Sequence, residues 1–494
     1  MIHRLKRSIF IAMTVIVVCF IGTPVLAAEW QIVGPRALGM GGANVAVAND
    51  ATASYWNPGA FGFFGGSKED YYGKRGWSST VAGAGVGAQL HNNFGDTISK
   101  VTGIDFDGID NDNITADKVS DFIGLLDAIE DFRGQNDKFA TVTANSRFGI
   151  QSGHFGLGGQ VLLDVSATPR FDFNNLGPDN AVAFSIADFT DPANLGCPAC
   201  STANTSGVTT LTGAQVNDID AQLAVLGWDA TQRNGFINAI DNGLATAGQT
   251  VPADIVDQAV SAATLANSAV GGGPLSQNTS KLRFIGIALF EVPLTYGRAF
   301  SENLSIGGNL KYMKARIYDR TIDILNQDFG DALDDALDNY EEDSNFGLDL
   351  GALYRVGDAF RFGLAGRNLN SPKFGKFKEE AQLRTGFAYQ PNGVLTFAAD
   401  FDLTKNDASV GSNLKSQNIA AGLEVDLVFL QLRGGAYKNL AENGIGLVYT
   451  AGIGVNLWLV NLDIGAAMSK DSTNLDGNDI PEEARAEFAL SMLF

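Results

Sequence analysis

Ala140-Thr-Val-Thr-Ala-Asn-Ser-Arg-Phe-Gly-Ile-Gln151 alternates along its whole length. Ala140, Val142, Ala144, Phe148 and Ile150 are apolar, broken only by Ser146, while Thr141, Thr143, Asn145, Arg147 and Gln151 are polar. Successive side chains of a strand point to opposite faces, so this stretch has one oily and one wet face. Strands of soluble proteins are usually about half as long. A two-faced strand of this length suits a wall with lipid on one side and an aqueous lumen on the other.

The pattern recurs. In Asn418 to Leu427, Ile419, Ala421, Leu423, Val425 and Leu427 oppose Asn418, Glu424 and Asp426; in Val460 to Ser469, Val460, Leu462, Ile464, Ala466 and Met468 oppose Asn461, Asp463 and Ser469. Further strands are predicted at Trp77 to Leu90, Gly153 to Ser166, Leu282 to Ala299, Asn303 to Tyr318, Asn345 to Val356, Ala359 to Asn370, Gln382 to Gln390, Gly393 to Thr404, Leu430 to Lys438, Gly446 to Leu457 and Arg485 to Phe494. The fold class expected is all-β, a transmembrane antiparallel β-barrel of about 14 strands, an even number as in single-chain bacterial barrels. Val356-Gly357-Asp358 and Gln390-Pro391-Asn392-Gly393 read as tight turns, and the longer, acidic gaps as external loops. The gap at about Ala167 to Lys281 has helical spacing instead, through Val216, Ile219, Leu223 and Leu226 with Gly227 as a stop, and predicts a helical extracellular insertion. Shorter amphipathic helices are expected at Ala116 to Phe132 and Asp328 to Tyr340.

Composition agrees. The 494 residues include 58 Gly, 32 Phe and 13 Pro, with only 18% charged, as suits a sheet with a lipid-exposed side. Arg4, Lys6 and Arg7, the apolar run Ile9 to Ile21 and Val25-Leu26-Ala27 form a signal peptide over residues 1–27. Removing it leaves 31 basic against 55 acidic side chains, a net charge near −24, which argues against nucleic-acid binding. The expected destination is the outer membrane of a diderm bacterium, with outer-membrane lipid and lipopolysaccharide as surroundings.

The mature chain opens Gly34-Pro-Arg-Ala-Leu-Gly-Met-Gly-Gly-Ala-Asn-Val-Ala-Val-Ala-Asn-Asp-Ala-Thr-Ala-Ser-Tyr-Trp-Asn-Pro-Gly59. This resembles the opening segment of the FadL-type and PorV-type outer-membrane barrels: a Gly-rich run, an Ala/Asp stretch, then Asn-Pro-Ala, here Asn57-Pro58-Gly59-Ala60. The C-terminal part from about Asn418 is most similar to the TraF-like branch, often called conjugal transfer proteins. The resemblance implies that residues 28–66 form an N-terminal hatch inside a barrel of residues 67–494, with Gly39, Gly41, Gly42, Asn57, Pro58 and Gly59 as hatch residues. The residue types fit that role: glycines allow close approach and left-handed backbone, and proline removes a donor. A glycine-rich first strand or a periplasmic tail is the alternative reading. The end, Arg485-Ala-Glu-Phe-Ala-Leu-Ser-Met-Leu-Phe494, resembles the signal read by the barrel assembly machinery, with Phe488 and Phe494 on one face.

Chemistry-bearing residues are few. His91 and His154 are the histidines outside the signal, and no nucleophile motif accompanies them, so no enzyme is expected. Cys197-Pro-Ala-Cys200 lies in the long insertion of an exported chain and is expected to form a structural disulfide. The acidic run Asp105 to Asp112 does not follow the EF-hand order and reads as a solvated loop. No cofactor or metal is expected. The resemblance implies passive transport of hydrophobic compounds, long-chain fatty acids or similar, gated by the hatch. Phe122, Leu125 and Leu126 on the external helix are candidate ligand contacts, with simple loop packing as the alternative. The other function left open is a non-transporting barrel that anchors or assembles a surface-protein or conjugation complex, its helical insertion being the partner surface.

Overall fold

Alternating strands whose polar faces all need water have one edgeless solution, a sheet closed on itself. The chain adopts it. In this computed structural model the barrel strands are β1 (Trp77–Leu90), β2 (Ala140–Ser152), β3 (Phe155–Arg170), β4 (Lys281–Ala299), β5 (Leu304–Asp323), β6 (Glu341–Val356), β7 (Phe360–Arg367), β8 (Gln382–Tyr389), β9 (Leu395–Asp402), β10 (Asn418–Asp426), β11 (Leu430–Asn439), β12 (Val448–Leu457), β13 (Val460–Ser469) and β14 (Glu483–Leu493). Each pairs antiparallel with its sequence neighbours, and β14 closes on β1. The structure describes residues 29–64, 76–96, 138–323 and 339–493, apart from positions within 173–189, 248–254 and 272–278 and residues 194, 413 and 476.

The oily face points out. Phe148 and Ile150 of β2, Ile419 and Leu423 of β10, and Ile464 and Met468 of β13 are exposed, while Thr141, Thr143, Asn145, Arg147 and Gln151 of β2 are buried in the lumen. A closed barrel with an apolar exterior and a polar interior is a membrane barrel. Six short turns lie at one end, and the long connections at the other, the pattern of bacterial outer-membrane barrels, whose short turns face the periplasm.

Strand bounds differ from the expected ones where sequence periodicity runs past a backbone break. β7 stops at Arg367 because Asn368 (φ 52°) and Ser371 (φ 47°) turn left-handed. β3 instead continues through Pro169 to Arg170 against β4, so the insertion begins later than Ala167. Three two-rung or four-rung hairpins were not expected: Lys373–Phe374 with Phe377–Lys378, Asn406–Asp407 with Lys415–Ser416, and Ser472–Leu475 with Asn478–Pro481. The second folds over the lumen mouth to β3, where Ser409 Oγ donates to Asp164 (2.6 Å) and Ser166 Oγ donates to the Val410 carbonyl (2.7 Å).

Among the described residues of the insertion, three long helices pack together, Gly213–Val225, Ala230–Ala247 and Ile255–Gly271. The first begins at a Thr212/Gln215 capping box and ends before Gly227, whose φ of 88° only glycine adopts freely. Ile219 and Leu223 bury against Phe236, Ile237 and Ala263. The Cys197–Cys200 disulfide pins the arm leading in, and Asp241 accepts the amide hydrogens of Thr209, Thr210 and Leu211 at 2.7–2.8 Å.

Candidate functional site

The described part of the N-terminal segment, residues 29–64, lies inside the barrel, nearly all of it buried. It is compact because its backbone turns constantly. α1 (Pro35–Gly39) and α2 (Ala53–Trp56) are joined by turns, and a 3₁₀ stretch over Pro58–Gly62 follows. Its own core stacks Trp30 on Trp56, with Tyr55 edge-on to Trp56 and Phe61 edge-on to Phe64.

Small residues let this plug touch the wall backbone. A Cβ on Gly39 would stand 2.9 Å from the Gly452 Cα of β12, and one on Gly41 (φ 68°) 2.5–2.6 Å from the Ala436 and Ala421 carbonyls. Gly59 meets the Ala352 Cα of β6 in the same way. Gly42 (φ 87°) serves the plug's own turn, beside Ile32. Asn57 is fully buried: its Nδ2 donates to the Val45 and Ala352 carbonyls, and its Oδ1 accepts from the Gly59 amide. Pro58 begins the 3₁₀ stretch, where its missing N–H costs nothing.

Charge fixes the plug laterally. Arg36 makes a two-pronged contact with Glu424 (2.8 and 2.7 Å), and Arg433 holds the same carboxylate (2.7 Å) while also reaching Asp463 (2.6 Å). Arg485 Nη2 donates to Glu29 (2.8 Å), although burial still pushes the Glu29 carboxyl above its usual range. Asp400 accepts the Asn44 and Val45 amides (2.8 and 2.9 Å), and Glu487 accepts the Gly34 amide (3.1 Å). A second cluster, with Glu291 held by Lys311 (3.1 Å), Arg367 (3.2 Å) and Gln160, sits beside Tyr55, over whose ring the Arg367 guanidinium lies at 4.0 Å. Breaking a buried pair on one side costs about 3–5 kcal/mol, so the axis is closed by several such ties.

The wall has one irregular zone. The β3–β4 ladder is unpaired at Gly158 and Gly159, which stand opposite Pro293, a residue with no N–H to give, and Val292. At the same height β1 bulges between Thr80 and Gly83 against β2. Phe148, 60% exposed, stands between these breaks on the outer face. Behind them, Ala51, Thr52, Ser54 and Tyr55 of the plug line a cavity with Arg147, Gly149, Gly158, Gly159 and Pro293, large enough for about one water. Arg147 Nε and Nη1 make no hydrogen bond among the described residues.

Among the other expected site residues, Phe488 is exposed on the outer face of β14. Phe494, the expected helix with Phe122, Leu125 and Leu126, the acidic run Asp105 to Asp112, and nearly all of the expected Asp328 to Tyr340 helix lie outside the described residues. His154 Nδ1 lies 3.0 Å from the Phe61 carbonyl. His91 is buried between Glu442 (2.6 Å) and Thr141 (3.3 Å) and stacks on Phe139, a tie between β1, β2 and the loop after β11. Sequence reading missed the partners of the plug, among them Glu424, Asp400 and Glu487; their only signal was membership of the polar face of their strands.

No curated protein sequence matches this chain. Among solved structures, similarity is found to the toluene transporter TbuX of Ralstonia pickettii (12% identity, 93% of this chain and 98% of that one, TM-score 0.43). The toluene transporter TodX of Pseudomonas putida (10% identity, 95% and 99%, TM-score 0.40) and a FadL homologue of Pseudomonas aeruginosa (11% identity, 96% and 99%, TM-score 0.39) are also similar. Likenesses of this size assign nothing further to the chain. The sequence model described as "F plasmid transfer operon, TraF, protein" matches residues 55–402, from α2 of the plug through β9, and the chain belongs to that family.

Proposed function

We propose that this barrel passes hydrophobic compounds, long-chain fatty acids or similar, and that residues 29–64 act as its hatch. The route leads sideways through the wall between β2, β3 and β4 and leaves the axis closed. One observation carries this reading: the unpaired Gly158 and Gly159, the Pro293 opposite and the β1 bulge coincide in height, and they lie directly outside plug residues Ala51 to Tyr55. A molecule moving along the axis would have to part the Arg36–Glu424–Arg433 and Glu291–Lys311 groups, whereas a small displacement of the Ala51 to Tyr55 loop opens onto glycines and an exposed phenylalanine. The test is uptake of a fluorescent long-chain fatty acid by vesicles containing the full chain or Gly159→Leu. A side chain at 159 grows from a Cβ only 2.7 Å from the Phe148 ring and fills the gap. Loss of uptake, with heat-modifiable gel mobility retained, is expected; unchanged uptake sinks the lateral route.

The second reading, a barrel that anchors a partner and transports nothing, draws on the same ion pairs. Three wall strands hold the plug by charge or backbone amide, β9 through Asp400, β10 through Glu424 and β14 through Glu487 and Arg485, as a fixed stopper would be held. Under it neither wild type nor variant takes up the fatty acid.

A further inference from the structure

Two periplasmic turns of this barrel are built unlike the rest. The other short turns are mainly polar: Gly153-His154, Ser301-Glu302-Asn303 after the exposed Phe300, Gly357-Asp358, and Gln390-Pro391-Asn392-Gly393 before Val394. The β10–β11 turn instead reads Leu427-Val428-Phe429, and the β12–β13 turn is Trp458-Leu459 directly after Leu457, the last residue of β12. All six side chains are exposed, Trp458 at 86%, Val428 at 68% and Phe429 at 63%. The two turns form one patch, since the Asn456 amide donates to the Phe429 carbonyl at 2.9 Å.

Chain reversal does not explain these residues. Val428 and Trp458 sit at φ 73° and 69°, left-handed positions where Asn or Gly is favoured and a β-branched side chain is a rare outlier. Hydration does not explain them either, because an aqueous turn gains nothing from tryptophan and leucine.

The height of the wall does. On this sector the outward apolar ladder runs from Ile419 to Leu427 and from Tyr449 to Leu457, eight residue steps in each case. At a rise of about 3.3 Å per step and a strand tilt of about 40°, that covers roughly 20 Å of membrane, against an apolar band of about 25 Å. On β5 the outward apolar ladder, Leu304 to Tyr312 before Lys314 and Arg316, is equally long, and the turn beside it carries the exposed Phe300. The missing height is about what one turn supplies.

We propose that the β10–β11 and β12–β13 turns are immersed in the inner leaflet of the membrane, completing the lipid-facing band where the barrel wall is too short. Their occupant is lipid, because the patch is continuous with the exposed apolar face of β10 to β13 and no polar residue interrupts Leu457 to Val460. The inference rests on the membrane barrel alone and stands whether or not the barrel transports.

Trp458 is the probe. The full chain and Trp458→Phe are reconstituted in phosphatidylcholine vesicles and in vesicles of acyl-brominated phosphatidylcholine, with iodide supplied on both sides. The difference spectrum isolates Trp458 from Trp30, Trp56, Trp77 and Trp228. The expected signal is blue-shifted, largely lost in brominated vesicles and insensitive to iodide. F429W in the W458F background, on the adjacent turn, is expected to behave alike. A signal quenched by iodide and indifferent to bromine overturns the proposal and leaves the patch free in the periplasm, as a docking face for a protein would be.

Discussion

If the plug loop must leave the wall for a ligand to pass, a crosslink at their contact stops passage. Ala51 Cβ lies 3.9 Å from the position a Cβ would take at Gly149 of β2, inside the range of about 3.5–4.5 Å that disulfides span. Gly149 accepts a side chain, since its φ is not left-handed and its nearest neighbour, the Leu157 carbonyl oxygen, would be 3.6 Å away. The double variant Ala51→Cys, Gly149→Cys therefore closes a loop of about 100 residues, for which chain entropy gives a stabilisation of roughly 4–5 kcal/mol. Vesicle uptake of a fluorescent fatty acid is measured before and after reduction, with reduced wild type controlling for Cys197–Cys200. The oxidised variant is expected to match protein-free vesicles and to recover on reduction. Wild-type uptake in a fully crosslinked sample refutes the hatch.

Gly39→Ala places a methyl group 2.9 Å from the Gly452 Cα and 3.1 Å from the Arg433 Cβ, an overpacking that costs about 1–3 kcal/mol; faster proteolysis within residues 29–64, with the barrel's heat-modifiable mobility unchanged, is the expected result. Glu379, in the loop before β8, is pushed up to about 8 from 4.5 by burial and by Glu291, against Arg367 and Lys311, with Asp164 adding to the rise. The folded state thus holds a proton that the unfolded chain releases above pH 4.5, and stability falls as pH rises from there towards 8, by up to about 1.4 kcal/mol per pH unit. Melting temperature should decline over that window in wild type and flatten in Glu379→Gln, which keeps an acceptor for the Asn368 amide; parallel curves would show that Glu379 does not set the slope.

The barrel was legible because lipid enforces a period of two. Trp77 to Leu90 and Val460 to Ser469 were read to the residue, and every one of the expected strands is present in the barrel. The hairpins at 373–378, 406–416 and 472–481 were not, since two to four rungs carry no periodicity to detect. In the plug, glycine spacing showed that close approach was needed but not to what: Gly39 meets Gly452, and Arg36 meets Glu424, across nearly the whole chain. Polarity marks a residue as lumen-facing; only the closed register tells which polar residue stands opposite. The lateral zone was illegible for the same reason, being a coincidence of Gly158, Pro293 and the β1 bulge that separate strands bring to one height.

The plug's partners on the last strand also set an order of events during biogenesis. Glu29 needs Arg485 and the Gly34 amide needs Glu487, both on β14, while Asn145 on β2 donates to the same Glu487 at 2.5 Å. The plug therefore finds its full seat only once β14 has paired with β1. Until then it stays unseated, and its arrival, which joins the plug, β2 and β14 at one carboxylate, is a natural checkpoint for a finished cylinder.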